Sequence, residues 1–405
     1  MGLTLKSDLR TGAAVWSSYR VPSVKGHRLT RSTRADIVIV GAGITGAMVA
    51  QRLVAAGMRP LIIDRRRAAL LGSTAASTAL LQFELDTPLS ELSSVLGRRR
   101  AERVWLASRE AVNDLRTRST RMGLQCQFES LPSLYLAGDR LDPKGLRREA
   151  RARQRIGLPS EYLDRRSLRR HFTIHRAAAL LSHGNAQANP VQLAAGYLRA
   201  AIRGGARMHG PHEVVGLHSG RYEVTLSTAD GLELRARRVV LCTGYEVAKI
   251  VSAPGDSVHS TWVLATRPQS RRVWPQRALI WEAAEPYLYL RTTADGRVIC
   301  GGEDAPFSSP LRRDELTPRK IQRLSSKLGL LFPHLDARPE FSWAGSFGSS
   351  TTGLPTIGAV PGYPKCYAAM GFGGNGITFS MLAARLLVGA IMGRTHPDAP
   401  LFAFR

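Results

Sequence analysis

The chain has 405 residues, 44% of them hydrophobic, and 57 Lys and Arg face 31 Asp and Glu for a formal net charge of +26. That length allows two compact domains or one large one with an inserted lobe, and the apolar share is ordinary for a globular protein. The four cysteines, Cys126, Cys242, Cys300 and Cys366, form no CxxC pair and have no His at ligand spacing, so neither a metal site nor a disulfide framework is expected, and a reducing, cytoplasmic compartment fits.

The charge would suit a polyanionic partner. The arginines, however, are spread along the chain, and the densest runs (65–67, 98–100 and 147–170) come with no RNA-recognition aromatic motif, zinc finger or basic zipper. A solvated, arginine-rich surface is expected, and nucleic acid is not expected as a partner. Residues 1–34 hold no apolar stretch of the secretory-signal kind. No window reaches the run of about 18 apolar residues expected of a membrane span. The nearest, residues 377–392, is interrupted by Ser380 and Arg385 and reads as a buried core helix.

In chain order, residues 1–34 read as an irregular lead-in pinned by Trp16 and Tyr19. Ala35 to Val40 is a β-branched run ending at Gly41, a buried parallel strand. Ile44 to Ala56 has helical periodicity and stops at Gly57. Pro60 to Ile63 is the next strand and ends at Asp64, which completes a βαβ unit. Helices are expected over 100–118, 144–170, 192–203, 318–331 and 377–392. Strands are expected over 133–137, at Val214, over 222–226 and 239–242, as a hairpin pairing 287–290 with 298–300, and over 366–370. No internal repeat or low-complexity segment appears.

Gly41-Ala42-Gly43-Ile44-Thr45-Gly46 is a GxGxxG that follows a strand and opens a helix. In that setting Gly41 permits the tight turn, Gly43 the approach of a pyrophosphate and Gly46 close packing of the helix. The helix N-terminus offers unpaired N–H groups to the diphosphate. Asp64 would accept hydrogen bonds from an adenosine ribose, and an acid there argues against a 2′-phosphate. A second glycine turn, Gly371 to Gly376 followed by Ile377 and Thr378, also joins a strand to a helix. One dinucleotide needs only one pyrophosphate turn, so a second turn suits a flavin pyrimidine. A helix N-terminus there would stabilise the negative charge of the reduced ring by up to about 2 kcal/mol. FAD is therefore favoured over NAD. The small residues and hydroxyls of 72–80 could line the ribityl and phosphate path. Thr243-Gly244-Tyr245 follows another strand at its carboxyl end, where ligands bind in such sheets.

These segments together resemble the D-amino acid oxidase, glycine oxidase and sarcosine oxidase family over residues 35 to 393. The resemblance rests on ADIVIVGAGITGAMVAQRL, the acid of LIIDR, GSTAASTALL, VVLCTGYE, YLYLRTTADGRVICGGED, WAGSFGSSTTGLPTIG and MGFGGNGITFS. It implies an α/β (α+β overall) chain with a Rossmann-like FAD-binding domain built from discontinuous segments and an inserted mixed-sheet substrate domain. The divisions expected are 1–34 (lead-in), 35–123, 176–255 and 341–405 (FAD binding), and 124–175 and 256–340 (substrate). Carried over, flavin contacts fall on Gly41, Ala42, Gly43, Ile44, Thr45, Gly46, Asp64 and Arg65, then on Ser73, Thr74, Thr78, Ala79, Leu80, Val214, Thr243 and Gly244. The remainder are Gly373, Gly374, Asn375, Gly376, Ile377 and Thr378.

The family chemistry is oxidation of a C–H beside an amine by hydride transfer to flavin N5, with oxygen or another electron acceptor to follow. Tyr287, Tyr289 and Arg291 alternate along a strand and so share a face. The resemblance puts Tyr289, and less firmly Tyr287, where relatives bind substrate. The chain departs from the pattern twice. Phe347 stands where amino-acid oxidases keep a carboxylate-binding Arg, and Ile299 stands where the sarcosine-oxidase branch has a Lys over the flavin. The substrate then lacks a free α-carboxylate, unless Arg291 holds it. Two alternatives stay open: a flavoenzyme for a modified nucleic-acid base or polyamine-like conjugate, and a non-catalytic flavin-binding protein.

Overall fold

The computed structural model describes residues 3–4, 8–158, 160–246, 249–251, 257–270, 273–350 and 352–404. Thr33–Val40 is the strand that its β-branched run predicts, with its last four residues buried. Ile37 and Ile39 point to a helical layer, while Val38 and Val40 point to the opposite cluster beside Leu61, Ile63 and Leu226. Both faces are covered, which is why the run is continuously apolar rather than alternating. The strand pairs in parallel with Leu61–Ile63 on one side and Glu233–Leu241 on the other. The eight-stranded sheet continues through Cys366–Met370 and Thr356–Ala359 at one end and Arg207–His209 at the other, with the hairpin Val214–Ser219 and Val224–Thr228 attached. Helix Ile44–Ala55 packs between Pro190–Arg203 and Gly376–Ile391. At Gly46 a Cβ would lie 1.9 Å from the Gly41 carbonyl oxygen, so the helix can rest on its own turn only with glycine there.

The second sheet has ten strands and is mainly antiparallel. Its order is 10–12, 339–349, 257–266, 298–305, 288–292, 279–282, 129–136, 178–187 and 80–81, with 160–164 also pairing to 178–187. Leu279–Glu282 and Glu129–Leu136 run parallel within it. Helix Pro310–Leu331 covers one face through Leu324 and Leu328, which pack with Trp262, Leu290 and Cys300. The boundaries drawn from the sequence at 175/176 and 340/341 put Ala178–Gln187 and most of Pro339–Ser349 with the FAD-binding segments. Both of those strands pair in the larger sheet.

Several expectations are corrected. The lead-in is not wholly irregular, because Arg10–Gly12 adds an edge strand against Trp343–Gly345. Trp16 does pin it, with its Nε1 donating to Ser77 O at 2.8 Å, and Tyr19 donates to Asp295. The basic 144–170 stretch is not one helix. Pro143–Arg155 ends before Gly157, which has φ +75°, then Ser160–Asp164 is a strand, and Asp164 caps the short helix Arg165–Phe172. The helix expected from Pro318 starts at Pro310 instead, because Ser309 supplies the side-chain cap that Pro318 lacks, and Pro318 is carried inside it. Helix Gly376–Ile391 belongs to an apolar stretch long enough to span a membrane by composition, yet 72% of that window is buried in the core.

Candidate active site

The carboxyl ends of Thr33–Val40, Leu61–Ile63, Glu233–Leu241 and Cys366–Met370 open into one groove, the position where parallel sheets bind ligands. Its two halves share Ile44, Thr45, Ser73, Thr74 and Gly244. The first half runs over Gly41, Gly43, Asp64, Arg65, Val214 and Thr243. Asp64 Oδ2 accepts from Ala42 N at 2.7 Å and Oδ1 accepts from Arg66 N at 2.8 Å, so the acid braces the glycine turn from below. Ile44 N donates to Thr74 Oγ1 at 3.1 Å, tying the helix start to the hydroxyl loop. Arg65 and Arg66 are held over this half by the buried Glu246. Thr243 Oγ1 is buried with no hydrogen-bond partner among the described residues. That orphaned hydroxyl, the glycine cradle and the helix N-terminus fit the diphosphate and ribose of a dinucleotide.

The second half is walled by Thr78, Ala79 and Leu80 on one side and by Gly373, Gly374, Asn375, Gly376 and Ile377 on the other. It encloses about 1200 Å³, open mouth included. The turn before helix Gly376–Ile391 is already engaged by an acid, since Gly374 N donates to Asp86 Oδ2 at 2.9 Å. A Cβ on Gly374 would lie 2.9 Å from Asp86 Oδ1, so this glycine makes room for Asp86 as well as for a flavin ring. Desolvation by the cleft walls raises the Asp86 pKa, against the opposing Gly374 N–H and the Arg140 charge. Tyr245 completes this wall, with its hydroxyl donating to Gly373 O at 3.1 Å.

Beneath the cleft a buried polar network holds the 82–90 segment in place. Arg153 donates to Glu84 at 3.0 Å and to Glu149 at 2.8 Å, with all three side chains fully buried. Glu149 in turn accepts from Leu89 N and Ser90 N, both at 2.9 Å. Burial alone would raise the Glu149 pKa, but Arg153 and the Ser90 N–H outweigh it, and the carboxyl lies below its ordinary range. Asn375 Nδ2 reaches the Glu84 carbonyl at 3.0 Å, which links the network to the second glycine turn.

Tyr287, Tyr289 and Phe347 line the cleft, with the two tyrosine rings 5.8 Å apart. Burial raises the pKa of both tyrosines, so their hydroxyls stay protonated. Arg291 is not with them. It is 1% exposed and its Nη1 donates to the carbonyls of Thr78 (2.9 Å), Ala79 (3.0 Å) and Ala188 (2.8 Å), beneath the Trp16 ring. The alternation along the strand is real, but Arg291 lies under the 78–80 segment rather than over the cavity. Ile299 is likewise outside the cleft, in a small cluster with Trp16, Val263 and Trp343. Ala42 and Gly46 lie behind the first turn, and Thr378 spends its hydroxyl on Gln82 O at 2.9 Å.

The sequence reading missed Asp86, Gln82, Thr261, Trp281, Asp304 and Glu246, while Tyr245 lies where Thr243-Gly244-Tyr245 was expected to meet a ligand. Tyr245, Glu246 and Asp304 sit within motifs that carry the resemblance. Asp86 and Trp281 sit in no motif: the buried network under the 82–90 segment brings Asp86 to the cleft, and sheet pairing brings Trp281. Asp304 lies behind the wall near the Thr261 and Tyr287 hydroxyls. Desolvation raises its pKa to about 6, with those two hydroxyls acting the other way. Asp304 Oδ1 and Thr261 Oγ1 are both buried without a hydrogen-bond partner among the described residues. His171 and His175 are no metal pair, since Thr173 between them turns left-handed at φ 57°. Among the described residues no group of three or more potential ligands could hold a metal.

A parallel sheet with a glycine-rich first turn, a bracing acid and a second glycine turn facing the first defines a flavin-dinucleotide protein. The family of FAD dependent oxidoreductases (DAO) matches residues 36–390, and the chain belongs to that family. Gamma-glutamylputrescine oxidoreductase of Escherichia coli is 25% identical over 376 residues, covering 90% of this chain and 85% of that protein. Glycine oxidase of Pseudomonas aeruginosa is 25% identical over 383 residues, covering 88% and 95%. Among solved structures, L-proline dehydrogenase of P. horikoshii superimposes with a TM-score of 0.76 at 19% identity, covering 92% of this chain and 97% of that one. The protein is therefore an FAD-dependent oxidoreductase of the amino-acid and amine oxidase type, with a mixed α/β fold.

Proposed function

We propose that the protein oxidises the C–H bond beside an amine in a substrate with no free carboxylate next to the reacting carbon. One observation carries this reading: among the described residues that line the second half of the groove none is Lys, Arg or His. Phe347 offers an apolar surface, and Arg291 is turned away into backbone carbonyls. A carboxylate placed there would lose its hydration without compensation. The relatives' names support an amine or amino acid in general.

Gly41, Gly43, Asp64, Ser73, Thr74 and Thr243 would hold the diphosphate and ribose, and the 373–377 turn would face the flavin ring. Bound FAD supplies the hydride acceptor at N5. The chain's own task is orientation and exclusion of water. Tyr287, Tyr289, Trp281 and Phe347 build an apolar, aromatic cavity in which a neutral amine sits beside the reacting C–H. As the hydride leaves, the amine lone pair moves into the C–N bond, and the resulting iminium is hydrolysed by water to a carbonyl compound and an amine. Oxygen or another acceptor then takes the two electrons. The test is an anaerobic panel of amines and amino acids followed by flavin absorbance. Bleaching by amines that lack an α-carboxylate supports the proposal, and bleaching confined to free α-amino acids overturns it.

A further inference from the structure

We propose that the cleft selects a substrate carrying a second cationic centre besides the amine that is oxidised, a diamine or polyamine type of molecule, with Asp304 and Asp86 as its anchors. The inference rests on the amine-oxidation reading and narrows it.

The first argument is charge inversion. The chain carries +26, yet the charged residue lining the cleft is Asp86, and Asp304 stands behind Tyr287. Among the described residues neither carboxylate forms an ion pair. Arg140 comes nearest to Asp86, but its guanidinium donates to the Asp86 backbone carbonyl and to Glu91. Asp86 is exposed to the cleft and accepts only from Gly374 N, which leaves its second oxygen open to a cation. Asp304 Oδ1 and Thr261 Oγ1, both buried and unpartnered, mark a place where a donor is missing.

The second argument is the wall. Tyr287 and Tyr289 stand side by side, and Trp281, stacked on Tyr135 with ring centroids 3.7 Å apart, lines the same space. Aromatic faces with carboxylates behind them are the chemistry of ammonium recognition. An amino acid would bring its own carboxylate into this acidic cavity and be repelled.

The third argument is number. Asp86 lines the cleft, and Asp304 stands behind Thr261 and Tyr287, which line it too, so two carboxylates border one space. A single ammonium neutralises one of them. The reacting amine, moreover, must be neutral when hydride leaves, so a monoamine would pair with neither at that moment. A second ammonium stays protonated and paired while the first reacts. The charged and titratable groups near Asp304 are Tyr287, Tyr289, Asp86 and Glu285. The pairing weakens below about pH 6, where Asp304 takes up a proton.

The test uses the FAD-bound enzyme and two probes of equal chain length, 1,4-diaminobutane and butylamine. Calorimetric binding at about pH 7.5, where both are protonated, is measured beside anaerobic flavin bleaching. The diamine is expected to bind at least about tenfold more tightly, a difference of about 1.4 kcal/mol. That ratio should shrink toward one in Asp304→Asn and as pH falls below about 6. Asp86→Asn gives the same readout from a separate segment should Asp304→Asn not fold, and the wild-type comparison needs no variant. Equal affinities in wild type overturn the proposal, as does a preference that both variants leave intact. If diamines bind with this carboxylate dependence and no amine bleaches the flavin, amine oxidation fails while cation recognition stands. If monoamines bleach it as readily as diamines, the reverse holds.

Discussion

Arg291→Met separates a structural arginine from a substrate anchor. Its Nη1 carries two hydrogens for three carbonyls, those of Thr78, Ala79 and Ala188, and its Nε reaches Thr292 O at 3.3 Å. Three charge-assisted hydrogen bonds at about 1.5–3 kcal/mol each are lost on truncation, roughly 4–9 kcal/mol gross. Against this, burial lowers the guanidinium pKa to about 9 from 12.5, so removing the charge recovers about 5 kcal/mol at about 1.36 kcal/mol per unit. Loss of the Trp16 contact adds about 1 kcal/mol. The balance is a destabilisation of about 0–5 kcal/mol, what is left after the opposing terms nearly cancel. The damage should be local, because Ala79 holds a left-handed backbone (φ 55°) that Arg291 secures and that borders the cleft. Urea unfolding should show the loss, and the variant should retain less FAD. Turnover per bound flavin should stay within a few-fold of wild type. Wild-type stability combined with a fall of about a hundredfold or more in kcat/KM would refute this reasoning and restore Arg291 as an anchor.

Gly43→Val should give colourless protein that takes up no added FAD, because its Cβ would already approach Thr74 Oγ1 to 3.3 Å and the added methyls occupy the diphosphate's path. The ratio of flavin to protein absorbance reads this directly. At low substrate the rate of flavin reduction should rise with pH through the neutral to alkaline range, since deprotonating an ammonium of pKa about 10.4 costs roughly 4 kcal/mol at neutral pH. A flat stopped-flow profile would count against amine chemistry. Glu149→Gln should destabilise the fold by about 3–5 kcal/mol, as it breaks a buried pair with Arg153. The native Glu149 pKa is depressed, so its contribution is present above the ordinary carboxylate range and is lost as pH falls through the depressed value. Unfolding midpoints of wild type and variant should therefore converge in acid, and a gap that widens there would contradict the assignment.

Much of the parallel sheet was legible because its signals are local. Thr33–Val40, its glycine turn and Leu61–Ile63 are consecutive, and each residue's role follows from its neighbours. The larger sheet was not legible in the same way. Ala178–Gln187 and Pro339–Ser349 alternate poorly and take their place from partners far along the chain, such as Ser182 beside Ser133 and Phe347 beside His259. The split of 144–170 turned on Gly157 and on the Asp164 cap, signals that a long basic run masks.

The site divides along the same line. Residues at the glycine turns, where backbone and spacing decide the shape of the groove, could be named from motifs. Residues that shape the substrate end could not, because side-chain direction decides them. Strand alternation puts Tyr289 and Arg291 on one face, but one strand step separates an open cavity from the underside of the 78–80 segment. The opposite error hid Asp86, which has no partner in sequence and meets the second glycine turn only because the Glu84, Arg153 and Glu149 network fixes the segment on both sides of it. The arginine excess is spread over the surface and into structural pairs, and the second half of the groove, lined by no cation among the described residues, stays acidic within a strongly basic chain. A cationic substrate is thus repelled by the protein's overall field and attracted only by the cleft. Added salt should therefore screen the long-range repulsion more than the short-range pairing, and raise rather than lower the association rate of a diamine.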